Sequence, residues 1–250
     1  MGTKKMFGLV GKNIEYSFSR NYFSKKFNKL QLLENSYVNF DLESISEFPT
    51  IFDTHKETLV GINVTIPYKE DVGAFLDEID SEAVEIGAIN TIKIYSDGKR
   101  KGFNTDVYGF DQSIAPFLKE SHKTALILGT GGASKAVTYA LRKRGLSVLL
   151  VSRVPKHKNQ ISYESLTEKV ISETGVIVNC SPIGTHPDVD LYPNIPYEFL
   201  NESHLLFDLI YNPEETAFLR KGKEQRAVIA NGMKMLELQA EKSWEIWNKE

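Results

Sequence analysis

One stretch constrains this chain more than any other. Residues 124–128, Thr-Ala-Leu-Ile-Leu, form a short apolar run that ends in Gly129-Thr130-Gly131-Gly132-Ala133-Ser134, and a helix-like segment occupies 133–144. A second apolar run lies at 147–151 and a third at 176–180. These runs are continuous rather than alternating, the pattern of strands covered on both faces, so they predict a parallel sheet flanked by helices. Gly129 permits a tight turn, Gly131 lets the backbone come close to a ligand, and Gly132 and Ala133 keep the start of the helix slim. The N–H groups and dipole of a helix N-terminus suit a pyrophosphate. With a strand before the glycines, a helix after them and a second strand beyond, the context of a dinucleotide-binding βαβ unit is complete, and Ser134 closes the candidate phosphate loop.

The end of the second strand selects the dinucleotide. An NAD site places Asp or Glu there to accept from the ribose 2′-hydroxyl, whereas a guanidinium pairs with a 2′-phosphate. This chain has Val151-Ser152-Arg153, followed by Lys156 and Lys158, and no carboxylate. NADP is therefore the expected cofactor, with Arg153 at its 2′-phosphate. Lys156 and Lys158 read as solvated lysines.

Upstream, further strands are expected at 6–10, 37–40, 59–64 and 88–95, and downstream at 205–209 and 227–230. Helices are expected at 20–31, 106–117, 216–226 and 233–248. A chain of 250 residues holds one or two domains. The alternation predicts two α/β domains. Residues 1–104 would form a substrate domain and 105–232 a Rossmann-type dinucleotide-binding domain, with the C-terminal segment 233–250 returning to the first. Leu236, Ala240, Trp244 and Trp247 make the apolar stripe that such a returning helix buries. The 181–196 stretch, rich in proline, reads as a long loop.

Polar residues gather at element ends. Gly61-Ile-Asn63-Val-Thr65-Ile-Pro67-Tyr-Lys69 closes an apolar strand, and Gly87-Ala-Ile-Asn90-Thr91 and Gly102-Phe-Asn104-Thr105-Asp106 follow. Asn, Thr and Asp serve as caps and turn formers. Three such clusters ahead of a dinucleotide loop point instead to a site for a polyol, since ligands bind at the carboxyl ends of strands in α/β sheets.

In this order, Gly-x-Asn-Val-Thr-x-Pro-x-Lys, Gly-Ala-x-Asn-Thr, Gly-x-Asn-Thr-Asp-x-x-Gly, Gly-x-Gly-Gly-Ala-Ser, Asp208-Leu-Ile-Tyr211-Asn212-Pro213, Gly232-x-x-Met235-Leu236 and Gln239-Ala240 resemble the motifs of the shikimate dehydrogenase family over roughly the whole chain. The resemblance implies reversible NADPH-dependent reduction of 3-dehydroshikimate to shikimate, in aromatic amino-acid (chorismate) biosynthesis. It implies Lys69 and Asp106 as the catalytic pair, with Asn90 and Asp106 on ring hydroxyls. Ser17, Ser19, Thr65, Tyr211 and Gln239 would complete the substrate site, the serines and Tyr211 near the carboxylate. Gly129, Gly131, Gly132, Ala133, Ser134 and Arg153 would hold the cofactor, with Gly232 and Met235 by the nicotinamide. Tyr16 and Arg20 stand where the family has His and Pro, and Ser152-Arg153-Val154 where it has Asn-Arg-Thr. The second departure implies an NADP preference weaker than the family norm.

The chemistry is sound apart from the name. Hydride addition to a ketone develops an alkoxide, and a lysine ammonium can give it a proton or a positive charge. Two other readings use the same residues: a quinate/shikimate dehydrogenase that prefers NAD or accepts quinate, and a non-catalytic binding protein on the same scaffold. Other classes are disfavoured. His55, His122, His157, His186 and His204 have no ligand spacing and Cys180 is the single cysteine, so no metal site is expected. His186 and Asp188 read as a solvated loop pair. There is no Gly-x-Ser-x-Gly elbow and no Walker loop. A net charge of -3 without a basic run argues against nucleic acid or an anionic membrane as partner. The N-terminal apolar run is too short for a signal core, and Met6 spoils a myristoylation motif at Gly2. The expected protein is cytoplasmic, a monomer or homodimer acting on a small molecule.

Overall fold

The computed structural model describes residues 4–15 and 17–249; Gly2, Tyr16 and the last residue of the expected C-terminal segment, Glu250, lie outside them. The chain divides into two compact units, Met1–Thr105 with Ala240–Glu250, and Asp106–Gln239.

The first unit holds β1 (Met6–Gly11), α1 (Phe18–Lys29), β2 (Ser36–Asp41), α2 (Phe48–His55), β3 (Leu59–Val64), β4 (Glu78–Ile79), α3 (Ser81–Ile86), β5 (Thr91–Ile94) and β6 (Arg100–Phe103). Its sheet runs β2-β1-β3-β5-β6-β4. The pairs of β1 with β2 and β3 are parallel, while β3, β5 and β6 run antiparallel in turn. Alternation along the strands gives the sheet two faces. Phe7 and Leu9 of β1 join Phe23, Phe27 and Tyr37 on one side, and Val10, Ile62 and Val64 join Phe48, Ile51 and Ala83 on the other.

The second unit holds α4 (Asp106–Ile114), β7 (Thr124–Leu128), α5 (Gly132–Lys143), β8 (Ser147–Val151), β9 (Gln160–Ile161), α6 (Glu168–Ser172), β10 (Val176–Asn179), β11 (Leu205–Asp208), α7 (Ala217–Glu224) and β12 (Val228–Ala230). Its sheet runs β12-β11-β10-β7-β8-β9, parallel throughout. Every residue of β10 and β11 is buried, as continuous apolar runs require when helices cover both faces. This is the strand order of a Rossmann fold, with its switch point between β7 and β10.

The last helix, α8 (Met233–Asn248), is shared by the two units. From Ala240 onward it lies on the first sheet, where Ala240, Trp244 and Trp247 pack with Phe7, Phe23 and Phe27. Leu236, expected in that stripe, is half-buried and belongs to the second unit. There the helix start packs on α4, so closely that a Cβ on Gly109 would sit 2.6 Å from the Met235 carbonyl oxygen. Thr105, expected in the dinucleotide domain, stays with the first unit because Asn90 Oδ1 accepts its N–H at 2.7 Å.

Other differences have local causes. The strand expected at 88–95 is only Thr91–Ile94, because the Ile89 N–H leaves the ladder for the Lys69 carbonyl at 2.7 Å. The helix expected at 106–117 ends at Ile114 and tightens into a 3-10 turn, Ala115–Phe117, around Pro116, which has no N–H to continue the ladder. Short elements such as α2, α3 and α6 go beyond the expected set.

A tight seam in the first unit joins α8 to β3. A Cβ on Gly61 would run into Trp247 Nε1, and that indole N–H is anchored on the Ile92 carbonyl at 2.9 Å. Gly61→Ala is expected to cost about 1–3 kcal/mol, the usual penalty for overpacking a filled core. Urea unfolding followed by tryptophan fluorescence measures it, since both tryptophans, Trp244 and Trp247, belong to this unit.

Candidate active site

In the first unit, strand direction gathers the candidate residues at one end of the sheet. β1 and β3 are parallel and both end there, at Gly11 and Val64. β5 runs the other way and starts there, with Thr91 opposite Asn63 and Phe103. The segment after β1 delivers Ser17 and Ser19, the segment after β3 delivers Thr65 and Lys69, and Asn90 immediately precedes β5.

Each is held by its neighbours. Ser17 is the N-cap of α1 and its oxygen accepts from the Arg20 N–H. As an acceptor there, the hydroxyl keeps its own proton to donate, which suits an anion at a helix start. Ser19, two residues further on, is buried. Lys69 is half-buried in a turn pinned at several points. The Thr65 N–H donates to the Val10 carbonyl at 2.8 Å, buried Tyr68 donates its hydroxyl proton to the Leu42 carbonyl at 2.6 Å, and the Lys69 carbonyl accepts from Ile89. The lysine side chain thus hangs from a firmly held backbone.

Asn90 is clamped to Thr105, accepting its N–H and donating Nδ2–H to its Oγ1 at 3.0 Å. Behind this pair lies a buried polar network that sequence reading missed. Tyr37 donates to Asn63 Oδ1 at 2.9 Å, and Asn63 Nδ2 donates to Ser243 Oγ at 2.9 Å and Thr91 Oγ1 at 3.2 Å. The hydroxyls of Thr91 and Ser243 are 2.8 Å apart, and each is 3.2 Å from that of Thr105. Burial pushes the Tyr37 phenol far above its usual pKa, which keeps it a proton donor. One signal could have exposed Ser243: it falls on the apolar stripe of α8, three residues after Ala240.

Asp106, Tyr211, Gln239 and the glycine-loop residues belong to the second unit. Asp106 is buried as the first residue of α4, where the helix dipole favours a carboxylate. All strands of the parallel sheet end on one edge. That edge carries the loop 129–132, Arg153, the start of the 181–196 loop, Tyr211, and the Gly232–Met235 turn.

Gly129 has φ +114, open only to glycine, and a Cβ there would press on the Cys180 backbone. A Cβ on Gly131 would meet no protein atom within 4 Å, and no side chain caps α5 at this residue. That is an open cradle at the start of a long helix, suited to a phosphate. The Ser134 N–H and hydroxyl both donate to the Gly131 carbonyl, at 2.9 and 2.6 Å, which shapes the loop.

Arg153 is exposed in the turn after β8, which the Ser152 hydroxyl closes by accepting from the Val154 N–H at 3.2 Å. Val154 is 66% exposed, so the residue beside Arg153 offers an apolar face instead of a hydroxyl. Gly232 is fixed by contact, since a Cβ there would strike the Leu209 carbonyl oxygen. Met235 is buried behind it, and Gln239, also buried, donates to the Leu236 carbonyl.

Tyr211 is half-buried in a loop that Asp208 secures. Fully buried Asp208 accepts from Asn179 Nδ2 at 3.0 Å, from the Ile210 N–H at 3.0 Å and from the Thr216 hydroxyl at 2.6 Å. Burial pushes its pKa up to about 6 against those three donors. Its place at the end of an apolar strand was the available signal.

Among the described residues no group of three or more His, Cys, Asp and Glu could hold a metal ion, and no helix is long and apolar enough to cross a membrane.

Comparison with known proteins agrees with this architecture. Residues 9–92 match the family model for the shikimate dehydrogenase substrate binding domain. A shikimate dehydrogenase (NADP(+)) of Methanosphaera stadtmanae is 36% identical, over 96% of this chain and 90% of its own. The crystal structure of shikimate dehydrogenase 1 from Peptoclostridium difficile is 35% identical with a TM-score of 0.85, covering 97% of this chain and 91% of that one. A Thermus thermophilus shikimate 5-dehydrogenase, solved with NADP(H) and shikimate, is 30% identical with a TM-score of 0.85 over 98% of this chain and 93% of its own. With identity at this level along nearly the full length of both partners, and with the same folded architecture, the chain belongs to the shikimate dehydrogenase family.

Proposed function

We propose that this chain catalyses the reversible NADPH-dependent reduction of 3-dehydroshikimate to shikimate, with Lys69 and Asp106 as its catalytic pair. The observation that carries the reading is the convergence of Ser17, Ser19, Thr65, Lys69 and Asn90 on one end of one sheet. That set offers hydroxyls for a carboxylate, an amide for ring hydroxyls and an ammonium for a carbonyl oxygen.

NADPH supplies the hydride when bound. The residues of the second unit suit it: the Gly131 cradle and α5 N-terminus for the pyrophosphate, Arg153 for the 2′-phosphate, and Gly232 and Met235 for the nicotinamide. Lys69 donates its proton to the carbonyl oxygen of the ring ketone as negative charge builds there, and takes it back from the alcohol in the reverse direction. Asp106 accepts from a ring hydroxyl, and Asn90 orients the neighbouring hydroxyl. Ser17, Ser19 and Tyr211 hold the ring carboxylate, and Thr65 and Gln239 complete the polar lining. The firmly held turn under Lys69 matters because a proton donor is effective only within hydrogen-bond reach of its acceptor.

The enzyme acts on this small molecule in the cytosol, as a monomer or homodimer, without nucleic-acid or membrane partners. Net charge -3 and a single cysteine, Cys180, support that reading. The exposed Val154 beside Arg153 favours a looser grip on NADP, and with it some use of NAD.

Lys69→Ala is expected to lower kcat about 10²–10⁴-fold, the span of general acid catalysis, with circular dichroism and thermal midpoint unchanged. Steady-state NADPH oxidation with 3-dehydroshikimate reads it; wild-type turnover in the variant removes the proton role from Lys69. Gly131→Ala fills the cradle without touching protein, and is expected to weaken NADPH binding roughly tenfold in a fluorescence titration while leaving the cofactor-free melting temperature in place. Arg153→Ala is expected to raise KM for NADPH about tenfold and leave KM for NADH nearly constant. Equal effects on both cofactors would detach Arg153 from the 2′-phosphate.

A further inference from the structure

The loop 209–216, between β11 and α7, is closed at its base by one side chain. Asp208 ends β11. Its Oδ1 accepts from the Ile210 N–H at 3.0 Å, and its Oδ2 accepts from the Thr216 hydroxyl at 2.6 Å. Ile210 lies at the start of the loop and Thr216 at its end. Asn179 of β10 steadies the carboxylate from the neighbouring strand, donating Nδ2–H to Oδ1 at 3.0 Å. Asp208, Asn179 and Thr216 are all fully buried, so water cannot replace a lost partner.

The closed loop carries the next turn along the sheet edge. The Ile210 carbonyl accepts from the Gly232 N–H at 3.1 Å, and the Glu214 carbonyl accepts from Asn231 Nδ2 at 2.9 Å. Gly232 also lies against the Leu209 carbonyl, where a Cβ would not fit. The turn is thus fixed to the loop at Leu209, Ile210 and Glu214. The Gly232 carbonyl in turn accepts from the Leu236 N–H, and buried Met235 lies within that first turn of α8.

For the Ile210 N–H alone an asparagine would serve, since it makes the same local turn without a charge. A carboxylate accepts on both oxygens, and so ties the two ends of the loop together. We infer that Asp208 is a positioning residue for the nicotinamide half of the dinucleotide: by closing the 209–216 loop it sets where Gly232 and Met235 stand. The inference rests on the proposed place of those two residues beside the nicotinamide.

The test compares the whole cofactor with its adenosine end alone, on the intact chain. Asp208→Asn keeps one acceptor oxygen and turns an amide N–H onto the Thr216 hydroxyl, which already accepts from the Leu219 N–H. With 3-dehydroshikimate as substrate, it is expected to lower kcat/KM for NADPH roughly tenfold, the scale of one lost hydrogen bond to a charged group. Adenosine 2′,5′-bisphosphate has no nicotinamide end, and its inhibition constant is expected to change less than about twofold. A merely structural aspartate would lower the amount of folded enzyme and, per folded molecule, move both constants alike or neither.

An unchanged kcat/KM in folded Asp208→Asn, or an equal loss for the bisphosphate, overturns the inference and leaves the proposed function standing. Wild-type protein that does not oxidise NADPH with 3-dehydroshikimate rejects the proposed function, and the inference with it. Should Asp208→Asn fail to fold, Thr216→Val removes the donor at one end of the loop and Thr216→Ser restores it. A loss confined to NADPH in Thr216→Val and recovered in Thr216→Ser supports the positioning role; any other pattern in that pair overturns it.

Discussion

The Asn63 side chain is a buried amide with partners on three distant segments. Its oxygen accepts from Tyr37 of β2, and its nitrogen donates to Thr91 of β5 and Ser243 of α8. A buried amide without partners costs about 1–3 kcal/mol per group, so this residue has one acceptable place. Neighbouring Ile62 and Val64 face the opposite, apolar side of the same strand. A slip of β3 by one residue would drive the amide into that core and turn two aliphatic side chains onto polar partners. Asn63 thereby sets the register of β3, and with it the start of the turn that carries Thr65 and Lys69. The proposed substrate residues Thr65 and Lys69 thus inherit their positions from a buried amide on the strand before them.

The second unit reaches the same end by other means. Its sheet is parallel and buried on both faces, so register follows from continuous apolar packing of the strands. Placement at its functional edge is then decided by how closely backbone segments approach each other. Gly129 lets the loop after β7 lie against Cys180, and Gly232 lets the turn after β12 lie against Leu209. At Gly131 the same absence of a side chain faces open space, which is the difference between a glycine that packs and one that leaves room for a ligand.

Legibility in the sequence follows that division. The strands Thr124–Leu128, Ser147–Val151 and Leu59–Val64 can be read to the residue, because burial on both faces forces an apolar run with sharp ends. The β6 strand, Arg-Lys-Gly-Phe, cannot, since its identity comes from pairing with β5 and not from its own composition. Ser17 stands out as a ligand candidate, yet its role as the cap that starts α1 at Phe18 does not, and the sequence pattern begins that helix two residues late. Ser134 lies inside the glycine motif, and its donors turn toward the Gly131 carbonyl, which no spacing rule reports. The candidate site residues lie in local motifs, whereas Tyr37 and Ser243 lie in none and meet Asn63 only through the fold.

Asp208 shows why such support is costly to build and hard to replace. Placing a carboxylate in a fully buried position penalises its charge, and the pKa of about 6 records how far three donors fall short of cancelling that penalty. An apolar residue there would avoid the cost. It would also release Thr216, which caps α7 while donating to Asp208, and the Ile210 N–H next to Tyr211. A carboxylate can organise both, since it accepts from several directions at once. The energetic loss at Asp208 is therefore the counterpart of order in the Tyr211 loop, as the desolvated amide of Asn63 is the counterpart of order around Lys69.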